Sequence, residues 1–331
     1  MSNSVTPPPG TASTTRNLTE QWEQIIHTAK CVYIFFAAVG FTAGCFLMYS
    51  FSQSYRAQRR LTWIDGLLCV YSGFQMLLLL LSLNAVTHRP EYLRTTALGC
   101  AALSFTINTV SLCSLFVLVL MAYVLTLDPP SRAPLKKARV CTGVVGVSSV
   151  LICLVLAGIR GPKTDLLKEI PCFMDSDGAM VTYPAAKLCL TFVIPFSFIL
   201  VLLVCGCVRQ KKSNGRFLSG LEEGPVFLVV TVVVLVCHLF YGISLVRDSR
   251  QTQEPVHRRS VFLSVAEFVL FMGSSVSLLL VLVMHRPCRE SLFGIFSQLK
   301  DCCRSPVRTQ TTRNIITPHI EITDTLQDIE S

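Results

Sequence analysis

Five polar or ionisable residues interrupt otherwise apolar stretches of the chain: Asn108, Lys187, His238, Tyr241 and Glu267. An ionisable group at the centre of a membrane helix costs on the order of 2.5–3.5 kcal/mol on insertion scales, so such groups turn towards a bundle interior. Asn108 lies about two helical turns beyond Cys100, and Lys187 sits near the start of its run. His238 and Tyr241 are one helical step apart, and Glu267 is about two turns into the last run. All five fall at similar depth towards one end, as a ligand pocket open to that side requires. Plainer readings stand beside this one. Lys187 can snorkel to headgroups, Glu267 can pair internally with His238 or Lys187, and Asn108 can make a helix–helix hydrogen bond. The chemistry is recognition and not catalysis: there is no Gly-x-Ser-x-Gly nucleophile, no paired-carboxylate site and no intramembrane zinc cluster, and of six histidines only His238 is embedded in an apolar run. No enzyme activity, cofactor or metal is expected.

The elements that must position these residues are membrane helices. The chain is 51% hydrophobic and only 15% charged, with a mean hydropathy of +0.55, whereas a soluble domain carries about a quarter charged residues. The stretch from Cys100 fixes the pattern: an apolar run from Ala101 to Leu127, then Asp128-Pro129-Pro130, then a basic knot at Arg132, Lys136, Lys137 and Arg139. Such a run exceeds the roughly 20 residues needed to cross hydrocarbon. Seven spans follow from the same reading, at about 31–51, 61–84, 100–127, 140–159, 183–208, 225–246 and 261–284, so the expected fold is an all-α seven-helix bundle over 29–284. The net charge of +9 is dispersed over loops and matches contact with anionic membrane lipids, not nucleic acid. Most of the fifteen cysteines lie inside apolar runs, where a thiol is a small hydrophobe.

Basic clusters at Arg56, Arg59 and Arg60, at the knot after the third span, and at Arg209, Lys211, Lys212 and Arg216 place those turns in the cytosol. An odd number of spans then leaves residues 1–28 outside as a disordered extracellular segment, and the tail inside, at the plasma membrane. Asn17-Leu18-Thr19, the only Asn-x-Ser/Thr in the chain, falls on that outer side as an N-glycosylation sequon. After the last span, Leu292, Phe293, Phe296 and Leu299 recur at helical spacing, which gives a short amphipathic eighth helix over 288–301 lying in the membrane interface. Cys302 and Cys303 at its end are a juxtamembrane pair suited to S-palmitoylation, or simply two thiols. Residues 304–331 are polar and rich in threonine, and are expected to form a disordered, phosphorylatable tail. Outward-facing cations, Arg258 and Arg259 among them, point to an anionic ligand or acidic peptide.

Seven spans, an eighth helix with a cysteine pair, Cys100 at the top of the third span and Cys172 in the loop before the fifth resemble the rhodopsin-like (class A) G-protein-coupled receptors. Pro195 in Phe192-Val193-Ile194-Pro195-Phe196 is similar to that family's kinking fifth-span proline, Cys237-His238-Leu239-Phe240-Tyr241 to a worn Cys-Trp-x-Pro-Tyr, and Pro287-Cys288-Arg289-Glu290-Ser291-Leu292 to the approach to its eighth helix. The chain looks most like divergent, orphan-type members. The resemblance implies an extracellular ligand, a heterotrimeric G protein and arrestin as partners, and a Cys100–Cys172 disulfide, with two free thiols as the alternative. The departures are equally specific. Ala122-Tyr123-Val124 or, aligned from Cys100, Val124-Leu125-Thr126 stands where the family has Asp-Arg-Tyr, Ser277-Leu278-Leu279-Leu280-Val281 where it has Asn-Pro-x-x-Tyr, and Gln75 near its sodium-binding aspartate. Two functions therefore remain open: a signalling receptor, or a non-signalling trafficking partner or ligand sink. A Cys100–Cys172 bridge would clip the loop over the bundle mouth and stabilise by roughly 2–4 kcal/mol. Cys172→Ser is then expected to abolish surface expression, measured by surface labelling; wild-type trafficking would count against the clip.

Overall fold

The computed structural model describes residues 9–59, 62–88, 93–127, 138–160, 167, 169–172, 175, 182–212, 224–250 and 256–304. The helices are α1 (Pro9–Gln58), α2 (Trp63–Thr87), α3 (Ala97–Leu127), α4 (Ala138–Arg160), α5 (Thr182–Leu188), α6 (Ile194–Lys212), α7 (Gly224–Arg250), α8 (Val256–Met284) and α9 (Arg286–Arg304). A π-helical turn, Cys189–Val193, joins α5 to α6 in one continuous span. Among the described residues, seven segments are long and apolar enough to cross a membrane: Glu20–Ala57, Trp63–Thr87, Ala97–Thr126, Val140–Arg160, Thr182–Arg209, Gly224–Arg250 and Val261–Met284. The protein is thus an all-α, seven-helix, multi-pass membrane protein. α1 is helical well before the expected start of the first span at residue 31.

These helices are apolar on nearly all sides because two different apolar environments surround them. Val144, Val147, Leu151 and Leu154 of α4, and Phe198, Val201 and Val204 of α6, are exposed and face the lipid. The interior combines buried apolar side chains with small polar residues, among them Ser72, Ser82, Ser111, Ser114, Ser274, Ser275 and Ser277. Several bond back to their own helix, as Ser72 does to the Leu68 carbonyl at 2.8 Å and Ser277 to that of Ser274 at 2.8 Å. A hydroxyl so satisfied is nearly apolar to its neighbours and small enough to let backbones approach. Where α1 meets α2 and α8, Tyr33 stacks on Phe268 with ring centroids 6.2 Å apart and shares a 2.5 Å hydrogen bond with Ser82.

Helix boundaries follow local chemistry. Thr62 caps α2 by accepting from the Asp65 N–H at 3.2 Å. Arg59, after the end of α1, has φ 53°, a left-handed turn that closes the helix. The π turn has an equally local cause. Pro195 has no N–H to give the helix, and the Ile194 N–H, one residue earlier, reaches back five residues to the Cys189 carbonyl. The expected kink residue therefore sits just after a bulge, and the bulge lies directly beyond Lys187.

Two connections are not loops throughout. β1 (Arg94–Thr96) and β2 (Glu169–Pro171) pair antiparallel, Arg94 opposite Pro171 and Thr96 opposite Glu169, and the Cys172 N–H extends the ribbon to the Leu93 carbonyl at 2.8 Å. The chain divides into two compact units, Met1–Ser291 and Leu292–Ser331. The described part of the second is the remainder of α9, with Phe293 and Phe296 exposed.

α1 and α8 approach closely at Gly40, where an added Cβ would lie 2.7 Å from Ser275 Cβ and 2.8 Å from its Cα. Backbone cannot yield as a side chain does, so Gly40→Ala is expected to destabilise by about 1–3 kcal/mol. The thermal midpoint of the purified protein should fall, and the Gly40→Ala/Ser275→Gly pair should recover it only in part, because the contact with the residue 275 Cα remains; an unchanged midpoint in the single variant would refute this packing.

Candidate functional site

At the Cys100 end of the bundle, α5 and α7 converge on one carboxylate, and α3 reaches it through Lys187. Asp175 lies three residues beyond Cys172, and Cys172 is bonded to Cys100 at the start of α3, with a Cα–Cα distance of 5.4 Å. The ribbon and the disulfide together bring this connection back over α3. The Asp175 side chain is almost fully buried, at 2% exposure, and forms an ion pair with Lys187, at 7%. The Tyr183 hydroxyl donates to Asp175 Oδ1 at 2.6 Å, and the Lys187 ammonium and the Tyr241 hydroxyl donate to Oδ2. Lys187 also donates to Asn108 Oδ1 on α3 at 2.8 Å and lies 5.1 Å from the centroid of the Tyr241 ring. Tyr183 and Lys187 are four residues apart on α5 and so share a face, while Pro184 fits the first turn of that helix, where no N–H bond is lost.

The electrostatics follow from these contacts. Burial alone would raise the Asp175 carboxyl, but the Lys187 charge and the hydrogen bonds from Lys187, Tyr183 and Tyr241 outweigh it and hold the group at about 2. Asp175 is therefore ionised at every physiological pH, and the site is a neutralised cation–anion pair wrapped in two phenols and an amide.

Three of the five residues singled out in the sequence, Asn108, Lys187 and Tyr241, thus meet in one place. The other two do not join them directly. His238 turns to Ser111, with Nε2 3.5 Å from its Oγ, and lines a cavity of about 10 Å³ with Gln75, Leu270 and Ser274. That is about the space one water needs, and the buried Gln75 Oε1 beside it has no hydrogen-bond partner in the structure. Glu267 is buried on α8 at 4% exposure, within electrostatic range of Tyr241. The anionic partner of Lys187 is Asp175, not Glu267. Pro195 is buried in α6. Asn17 is on the helical backbone of α1, Arg258 and Arg259 on that of α8, and Cys302 and Cys303 on the last turn of α9; the side chains of all five lie outside the described residues.

A second polar knot, absent from the sequence reading, sits at the opposite end. His285, between α8 and α9, places Nε2 3.0 Å from Asp65 Oδ1 on α2 and Nδ1 3.2 Å from Cys288 Sγ. The Phe51 ring of α1 packs on the imidazole, centroids 5.6 Å apart. Its backbone bonds in both directions, its N–H to the Val281 carbonyl at 2.9 Å and its carbonyl to the Arg289 N–H at 3.0 Å, so α8 runs into α9 without a break in bonding. Asp65, in the first turn of α2, thus finds its partner at its own end of the bundle. Burial would lower the His285 imidazole, but the bonds to Asp65 and Cys288 and their charges raise it to about 9.

The chain matches no model of a known protein family, and no curated protein is significantly similar to it.

The raised His285 value has a definite sign. The charged pair contributes fully below the ordinary histidine value of about 6.5 and is lost as pH rises through about 9. The full difference corresponds to about 3 kcal/mol. Thermal midpoints of the detergent-purified protein should therefore fall between about pH 6.5 and about pH 9, and His285→Gln should flatten that fall. A wild-type profile that rises over this range, or one identical in the variant, would contradict the assignment.

Proposed function

We propose that the protein is a cell-surface receptor of the rhodopsin-like type, which binds an extracellular ligand at the Cys100 end of its bundle and signals through heterotrimeric G proteins. In this reading residues 1–28 are extracellular and carry a glycan on Asn17. The tail is cytoplasmic and available to arrestin, and α9 rests in the membrane interface with Cys302 and Cys303 palmitoylated. The observation that carries it is the buried constellation of Asp175, Lys187, Tyr183, Tyr241 and Asn108 beneath the Cys100–Cys172 bridge. A bundle meant only to span lipid gains little from burying a charge pair, since an apolar replacement of similar volume is often neutral or stabilising. Retention of such a pair where three helices and a connecting loop meet is what a recognition site needs.

A second reading has its own support. Val124-Leu125-Thr126 at the end of α3 and Ser277–Val281 in α8 hold none of the ionisable groups through which rhodopsin-like receptors engage G proteins. This favours a seven-helix protein that binds and carries a ligand or partner without signalling. GDP–GTP exchange separates the two. With each G-protein class in membranes carrying the protein, exchange above that of empty membranes is expected for at least one class, and Lys187→Met should change it by several-fold. Exchange at the empty-membrane level with every class would leave the non-signalling reading. Epitope tags on intact cells should stain at the N-terminus and not at the C-terminus; the reverse would overturn the orientation.

A further inference from the structure

Set apart by where they reside in the chain, the contacts around Asp175 fall into two groups. Among the described residues the donors belong to the bundle: Tyr183 and Lys187 on α5, Tyr241 on α7, with Asn108 on α3 holding the ammonium in place. The acceptor belongs to the connection between β2 and α5. Without Asp175, the bundle would present a buried ammonium and two phenolic hydroxyls aimed at two oxygen positions, which is the donor set for a carboxylate. We propose that this is a carboxylate-binding site already filled by the chain's own Asp175, and that the external ligand bears a carboxylate which takes the place of Asp175 on Lys187, Tyr183 and Tyr241.

Three features support this. The carboxylate is bound through both oxygens, Oδ1 by Tyr183 and Oδ2 by Lys187 and Tyr241, so the site fits the planar group and not merely its charge. Its occupant is tethered close by, three residues from the disulfide, and a tethered group competes at a high effective concentration. A free carboxylate of weak intrinsic affinity is therefore excluded, and only a ligand with further contacts displaces the Asp175 carboxylate. Finally, a Lys187 left without a counter-ion is a buried unpaired charge, so an open state of the site is strongly selective for anions over neutral molecules of the same shape.

The inference rests on the receptor reading for its extracellular ligand, but its test does not depend on signalling. Asp175→Gly vacates the carboxylate while leaving every donor in place. For the full-length purified variant, titration with sodium acetate against sodium chloride at constant ionic strength is expected to raise the unfolding midpoint by about 3 °C, with no change in the wild type. Adding Lys187→Met should abolish the response. If Asp175→Gly alone yields no folded protein, the unpaired lysine is the expected cause, and the Asp175→Gly/Lys187→Met double variant should recover folding. Acetate acting no better than chloride on the single variant, or a double variant as unfolded as the single one, would overturn the proposal. Absence of nucleotide exchange together with a positive acetate response would sink the signalling reading and leave the carboxylate site standing.

Discussion

The pairing of Asp175 with Lys187 is the constraint around which the Cys100 end of the bundle is arranged. Neither charge is tolerable alone in this position. An ammonium with 7% exposure and a carboxylate with 2% have each lost nearly all their water, and removing one partner of such a pair typically costs about 3–5 kcal/mol. Lys187 can sit on the interior face of α5 only because a carboxylate is delivered to it, and delivery falls to the connection before α5. The Cys100–Cys172 bridge and the β1–β2 ribbon fix that connection's register against the start of α3. From Cys172 the three residues to Asp175 can reach at most about 10 Å, so the ribbon's register decides whether the carboxylate meets the ammonium. A slip of the ribbon would leave both charges stranded.

The His285 end solves a similar problem with a weaker acid–base pair. Asp65 on α2 meets an imidazole from the α8–α9 junction, with Cys288 on its other nitrogen and the Phe51 ring packed against it. Four helices thus share one polar knot. Between the two knots the interior is built mostly from alkyl groups and from serines turned back on their own helices. Such an interior favours close approach but has few contacts that prescribe one arrangement over another. Specificity is concentrated at the two ends, and a rearrangement that separates α2 from the α8–α9 junction must break the His285 pair.

Much of this was legible in the sequence, for physical reasons that differ by residue. The seven spans were readable because exclusion of charge over more than twenty residues is a local property of the chain, and the observed segments keep the expected order. Asn108, Lys187 and Tyr241 stood out because polar groups in apolar runs are costly wherever they lie. Asp175 did not, since a carboxylate in a polar loop looks solvated until the loop's path is known; its position three residues after Cys172 was the available signal. Tyr183, four residues before Lys187, was readable as a neighbour on the same helix face. Asp65 gave no such signal, because its partner His285 follows a span instead of lying within one. Three-residue strands and a single π turn fall below what periodicity resolves, although Pro195 marked where the latter would be.

The two knots differ in what can disturb them. His285 titrates near 9 and exchanges its charge with water without any change of binding partner. Asp175, held at about 2, stays charged through the whole range in which the protein lives. Acid therefore does not remove the carboxylate's charge, and added salt acts weakly on a pair so deeply buried. Exchange of one anion for another is a disturbance that would leave the lysine compensated. Opening that end by other means leaves Lys187 unpaired in a low-dielectric interior, a cost that a neutral molecule does nothing to offset however well its shape fits. A conformational equilibrium with such a barrier responds only to ligands that bind the open state more tightly than the closed one. The burial that makes the pair costly is therefore also what would make a carboxylate site there, as proposed, discriminate by charge.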